Sequence, residues 1–302
     1  MAEIKLEMLV EDFLPPGVTF IGGPAGHGKS WLALSLAKAL FLGKPFLNYF
    51  KVPKAIPIVY LVPEVGESAM KQRLRLLGIG DAKDGFLLHT MSQGTPPDLA
   101  NPNLVAAMKD LEPVVMLDTA ARFNKGEDEN AAAENKKFVD NTFGLLQHGA
   151  KAIAPLHHSI KSLADGTIEP TLENVLRGSG DLGAMADAVY CTLCSDKKNF
   201  ISEIRNVKAR DFEPVEPFEI QGRPYIAEIN DLFLLRAPDV EKEDFEDRLI
   251  ARISACIKSN PRKTLTEIAK ELKVRKERVK ALSSVGGWRQ AGRIWVPVKE
   301  KD

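Results

Sequence analysis

Short apolar runs recur along the first three quarters of the chain, each separated from the next by a stretch with helical spacing. The runs are VTFIGG from Val18, IPIVYLV from Ile56, GFLLHT from Gly85, PVVMLDT from Pro113, AKAIAPLHH from Ala150, AVYCTLCS from Ala188 and FISEIRNVKAR from Phe200. Strands buried on both faces read as nearly continuous apolar runs, because neither face meets water. The pattern therefore predicts an α/β domain, a mainly parallel sheet covered by helices on both faces. Right-handed crossovers in such sheets gather ligands at the carboxyl ends of the strands. The runs from Ala188 onward follow one another closely and predict antiparallel additions.

Two stretches break the alternation and read as long surface loops, Asn124–Asn135 and Ser159–Arg177. Proline and a charge run then interrupt the pattern at Arg236–Glu246, which sets a boundary between residues 1–240 and 241–302. Beyond it, FEDRLIARISACIKS has an amphipathic helical pattern. Thr264 stands as an N-cap with Glu267 three residues on, the capping-box arrangement, before the helix TLTEIAKEL. VRKERVKALSSVG predicts a third helix ending at Gly286, and WRQAGRIWVPV a hairpin turning at Gly292. Three helices and a hairpin predict a small C-terminal winged helix, with Trp288 and Trp295 packing its core.

Composition adds one thing that the pattern does not. The chain balances 41 basic against 41 acidic residues, yet Arg248–Lys299 holds 14 Lys+Arg and 3 Asp+Glu, a net of +11. A basic tail on an acidic body points to a polyanionic partner. No apolar run approaches the roughly 20 residues of a membrane span. The first residues lack a signal peptide's basic start and apolar core. With three cysteines suited to a reducing compartment, the expectation is a cytoplasmic protein with no membrane partner. Cys191 and Cys194 sit in an apolar run, where an offset of three sends side chains to opposite faces, so they read as packing residues rather than a metal pair.

The chemistry begins at Gly23-Pro24-Ala25-Gly26-His27-Gly28-Lys29-Ser30, a G-x-x-x-x-G-K-S loop between a strand and the helix SWLALSLAKAL. Its glycines let backbone N–H groups wrap phosphates, and the helix N-terminus adds its positive dipole end. Lys29 is placed to neutralise the β- and γ-phosphates of ATP, Ser30 to ligate Mg²⁺, and Trp31 follows on the first helical turn. Asp118, ending the apolar strand PVVMLDT, matches a Walker B carboxylate, held to Mg²⁺ through Ser30 and water. Glu64 ends IPIVYLVPE, where a carboxylate is either a general base for the attacking water or a solvated loop acid. His157 and His158 close AKAIAPLHH; one is placed to sense the γ-phosphate and the other to pack.

Taken in order, GGPAGHGKS, VYLVPE, VMLDTAARF with its acidic DEN stretch, and PLHHSIK resemble the RecA-like ATPases of the RepA type, hexameric replicative helicases related to DnaB and RadA proteins. The resemblance covers roughly residues 14–218. It implies that Glu64 is the catalytic base and that His157 or His158 senses phosphate. It also implies hydrolysis at subunit interfaces, with a basic finger supplied by the neighbouring subunit. Lys208 and Arg210 in NVKARDFEP are similar to the K-x-R strand of RadA and DnaB relatives, and Arg177 is the alternative. Where RepA carries an arginine, this chain has Val189-Tyr190, a departure that favours Lys208 and Arg210.

These readings converge on a ring-forming ATPase, a hexameric DNA helicase or translocase of mobile-element replication, with ATP and Mg²⁺ as its cofactors. The tail carries Arg275, Lys276, Arg278 and Lys280 on its third helix, suited to phosphates of single-stranded or duplex DNA. Asn124–Asn135 and Ser159–Arg177 are the candidate DNA-facing loops. A regulatory ATPase switch that controls assembly or partner recruitment is the alternative, and a sequence-specific DNA-binding initiator is a third.

Overall fold

A computed structural model describes residues 6–80, 84–123, 132–164, 168–177, 180–222, 233–236, 250, 253–254, 256–272, 276–285, 287–292 and 294–297. The chain divides into two compact units, Met1–Ala237 and Pro238–Asp302.

In the first unit, β1 (Gly17–Gly23), β2 (Ile58–Val62), β3 (Phe86–Thr90), β4 (Val114–Leu117) and β5 (Ala152–His158) are parallel. They alternate with α1 (Lys29–Leu42), α2 (Glu67–Leu76), α3 (Pro102–Leu111) and α4 (Ala132–Gln147). Two short helices, α5 (Leu172–Val175) and α6 (Gly180–Met185), precede β6 (Ala188–Asp196), β7 (Ile201–Ala209), β8 (Phe218–Gln221) and β9 (Phe233–Arg236). The sheet order is β3-β2-β4-β5-β1-β6-β7-β8-β9, with β1 flanked by β5 and β6. Antiparallel pairing begins one strand later than the spacing predicts. β6 runs parallel to β1, because α5 and α6 provide a crossover, and only β7 to β9 are antiparallel additions.

Side chains alternate across the sheet, as the period of a strand requires. Ile58, Tyr60 and Val62 of β2 join one apolar cluster with Leu32, Leu36 and Leu40 of α1 and Met70 and Leu74 of α2. Val59 and Leu61 join the other, with Leu104 and Met108 of α3 and Phe138 and Leu145 of α4. Both faces are thereby covered, and this is why the strands carry so few polar positions.

The two expected loops need correction. Ser159–Arg177 contains α5 and a 3-10 turn at Lys161–Leu163, and Leu163, Val175 and Leu176 are buried. Of Asn124–Asn135, residues 124–131 lie outside the described residues; the last four belong to α4, where Asn135 is buried. The boundary stretch from 237 to 246 also lies outside them, as does Arg275.

In the second unit, residue 250 and residues 253–254 and 256–259 are helical, followed by α7 (Leu265–Leu272) and α8 (Lys276–Val285). β10 (Trp288–Ala291) and β11 (Ile294–Pro297) form an antiparallel hairpin. The Thr264 N–H donates to Glu267 Oε2 at 2.7 Å and the Glu267 N–H to Thr264 Oγ1 at 3.2 Å, a reciprocal cap on α7. Ile253, Ile257, Ile268, Val279, Leu282 and Trp295 make a core of their own. Both indole N–H groups are used internally, Trp288 on Ser254 Oγ and Trp295 on the Lys263 carbonyl. No helix among the described residues is long and apolar enough to cross a membrane.

Candidate functional site

β1 ends at Gly23 with φ +146°, and a Cβ there would lie 2.5 Å from the Thr192 carbonyl oxygen of β6. Only glycine lets the chain turn away from the sheet at this point. Gly28, at φ +89°, begins α1 without a side-chain cap, so the first-turn N–H groups are left for a ligand. Residues from Ala25 to Trp31 line a cavity of about 400 Å³ at the carboxyl end of the sheet. His27 is buried, and its Nδ1 accepts the Cys194 N–H at 3.0 Å, which places its remaining proton on Nε2. Burial first, then Lys197 and Lys29, lower its basicity. Gly23 and Pro24 contribute through their carbonyls.

Those carbonyls receive Lys29, whose Nζ donates to Gly23 O at 2.8 Å and to Pro24 O at 2.9 Å. The side chain is 6% exposed, and burial brings its pKa down to about 8. His158 Nδ1 lies 3.4 Å from the ammonium. Ser30 Oγ donates to Asp118 Oδ1 at 3.2 Å, and Tyr60 OH to Asp118 Oδ2 at 3.1 Å. Burial raises the Asp118 carboxyl pKa, and the two hydroxyls oppose that rise. Glu64 opens onto the same cavity at the end of β2, where Arg122 Nε donates to its Oε1 at 2.5 Å. Arg73 of α2 stands 5.8 Å over the Trp31 ring.

The two histidines part company. His158 lines the cavity, whereas His157 lines a separate recess of about 20 Å³ with Phe138, Arg177 and Leu182. There its Nε2 is 3.1 Å from the Arg177 carbonyl oxygen, and its ring meets Phe20 edge-on. A place for His157 against the nucleotide is thus withdrawn, because adjacent residues of a strand face opposite sides of the sheet.

Neither Lys208 nor Arg210 lines this cavity. In register, Lys208 pairs with Val189 and Val189 with Phe20, in the body of β1 rather than at its carboxyl end. Lys208 Nζ donates to the Gly183 carbonyl at 2.7 Å. Arg210 donates to Asp187 Oδ1 at 3.0 Å and to the Ala184 carbonyl at 2.5 Å. Asp187 in turn accepts the Val18 N–H at 2.8 Å, so this corner is tied to the start of β1. Val189 and Tyr190 are fully buried, with Tyr190 OH on the Phe13 carbonyl at 2.7 Å.

Sequence reasoning did not single out Tyr60, Arg73, Thr119, Phe200, Ser202, Ile220 or Gly222, of which all but Tyr60 line the cavity. Tyr60, Ser202 and Ile220 come from strands, and Thr119, Phe200 and Gly222 from positions close to strand ends, where the letters carry no sign of a site. Arg73 carried the one available hint, a charge on the helix that follows VPE. Of the cysteine pair, Cys191 is buried in the core, and Cys194 lines the cavity half-buried.

Residues 4–163 match a family model described as an AAA domain, AAA_25. Among solved structures, one described as an ATPase domain aligns with a TM-score of 0.57 at 14% identity, over 78% of this chain and 94% of that one. A DnaB-like replicative helicase, solved with regard to its interactions with primase, gives 0.55 at 14% identity, over 77% of this chain and 64% of that one. This chain therefore corresponds to under two thirds of that helicase. At such identities the likeness is one of fold, a RecA-like mainly parallel sheet. No curated protein sequence matches the chain.

Proposed function

The chain belongs to the AAA domain family, and from that premise we propose a ring-forming ATPase, a hexameric DNA helicase or translocase of mobile-element replication. The observation that carries this reading is the convergence of Lys29, Ser30, Glu64, Asp118 and His158 on one cavity, with Lys208 and Arg210 held at another level of the sheet. Such a site binds a nucleoside triphosphate within one subunit and awaits a cation from the next.

The donor set fits Mg²⁺: a hydroxyl and a buried carboxylate 3.2 Å apart are hard oxygen ligands beside a phosphate loop. Bound there, Mg²⁺ would neutralise charge on the phosphoryl oxygens. Lys29 exchanges the Gly23 and Pro24 carbonyls for the β- and γ-phosphates. Glu64 takes the proton of the attacking water, and His158 contacts the γ-phosphate from the end of β5. The helices and hairpin of the second unit support a winged helix whose Lys276, Arg278 and Lys280 meet DNA phosphates.

The displaced pKa of Lys29 gives this binding step a pH signature. At pH 7 the ammonium is mostly charged, and near pH 9 it is mostly neutral, since its pKa is about 8. Triphosphate beside it favours the charged form. ATP affinity is therefore expected to fall as pH rises through 8, with uptake of about one proton per ATP near pH 9. Calorimetry in buffers of different ionisation heat measures that proton; identical heats across buffers would count against Lys29 as the phosphate ligand.

One observation favours the switch alternative. Glu64 is ion-paired to Arg122, an arrangement that suits slow basal turnover. Steady-state ATPase with and without single-stranded DNA, at low salt, separates the two. A motor is expected to be stimulated, and Lys276→Glu/Arg278→Glu/Lys280→Glu to lose that stimulation along with about three units of the salt dependence of binding. A rate indifferent to DNA in both proteins would overturn the motor and leave the switch.

A further inference from the structure

Tyr60 is fully buried in β2, yet its one polar side-chain atom reaches the carboxylate on which the cation site depends. β2 and β4 pair with Tyr60 opposite Met116, so the phenol spans two residues along the sheet to reach Asp118. The phenol O–H is the donor at 3.1 Å, since the carboxylate oxygen can only accept. Asp118 receives Ser30 on one oxygen and Tyr60 on the other, while its own N–H donates to the Leu61 carbonyl at 2.9 Å. Backbone and both oxygens are thereby fixed, and the plane of the carboxylate with them. An ionised carboxylate offers about four lone-pair sites, so two donors leave about two for waters around a cation.

We propose that Tyr60 is a positioning residue for the divalent cation, acting through Asp118 and not through the nucleotide. The inference rests on the reading of Ser30 and Asp118 as the Mg²⁺ holders. Partners behind a metal-site carboxylate typically change metal affinity about 10- to 100-fold when removed. Tyr60→Phe keeps the ring and deletes only the donor.

The test is binding of a fluorescent ATP analogue to the full chain, in EDTA and across a Mg²⁺ titration. Tyr60→Phe is expected to raise the Mg²⁺ concentration needed for half-maximal tight binding about tenfold, while leaving affinity in EDTA within about twofold. Equal losses in EDTA and in Mg²⁺ would mean that the phenol only packs, and an unchanged Mg²⁺ midpoint would also overturn the proposal. A second measurement does not depend on the variant folding. With 3-fluorotyrosine at position 60, the fluorine resonance should move when Mg²⁺ is added to the ATP-bound protein, and a resonance indifferent to Mg²⁺ would overturn the assignment. If the unmodified protein binds the analogue equally in EDTA and Mg²⁺, the cation reading itself falls and this inference with it.

Discussion

Arg210→Ala is expected to lower the ATPase rate by about 10³–10⁵, the range associated with a basic finger at a phosphoryl-transfer site. Stability should barely change. Arg210 is 42% exposed, and an exposed ion pair such as that with Asp187 is worth about 1 kcal/mol or less. A thousandfold rate loss corresponds to about 4 kcal/mol. The two magnitudes separate a finger from a residue that merely pins the turn between α6 and β6, for which rate and melting temperature would move together. Mixing makes the test independent of either number. Arg210→Ala subunits keep an intact phosphate loop, and Lys29→Ala subunits keep an intact finger. A mixed ring contains some interfaces with both, so activity should appear at intermediate ratios and vanish at either end. Absence of recovery at every ratio would sink the interface site. Lys208→Ala in the same assay assigns the share of the second cation.

Glu64→Gln is expected to bind Mg²⁺-ATP about as tightly as the native chain and to turn it over about 10²–10⁴ times more slowly. Glutamine keeps the shape and can still accept a hydrogen bond from Arg122, but it cannot take a proton from water. The ion pair does not argue against this role. With Glu64 37% and Arg122 61% exposed, the pair costs little to open, about 1 kcal/mol or less. Single-turnover hydrolysis alongside equilibrium binding is the measurement. Near-native turnover would return Glu64 to the solvated acids.

β1, β2, β4, β5 and the first half of β6 were legible because burial on both faces leaves a continuous apolar run in the sequence. β7 shows an alternation instead, with Ser202 and Ile204 buried and Ile201, Glu203 and Arg205 half-buried. β8 and β9 were not legible, since FEIQ is four residues between prolines and a turn, and FLLR is no longer. α5 was read as loop for the same reason: LENV is a single turn whose burial comes from neighbours distant in sequence. At the site, Lys29, Ser30 and Asp118 were legible because one loop and one strand end carry them in a recognisable order. Tyr60 was not, because a tyrosine in an apolar run reads as core, and its bond to a carboxylate 58 residues away exists only once β2 and β4 pair. Which histidine faces the cavity depended on strand register, and HH by itself leaves both open.

β6 has nine residues, and at roughly 3.3 Å per residue it is a strut of about 30 Å. Toward one end its Cys194 amide holds His27 of the phosphate loop; just before the other, Asp187 holds Arg210. From Ala188 to Cys191 the strand is paired on both sides, with β1 and β7; beyond Cys191 β7 is its partner, and the β7 ladder shifts register at Val189/Tyr190 and Cys194/Asp196. One strand thus runs from the phosphate loop of its own subunit toward the arginine proposed to serve the next.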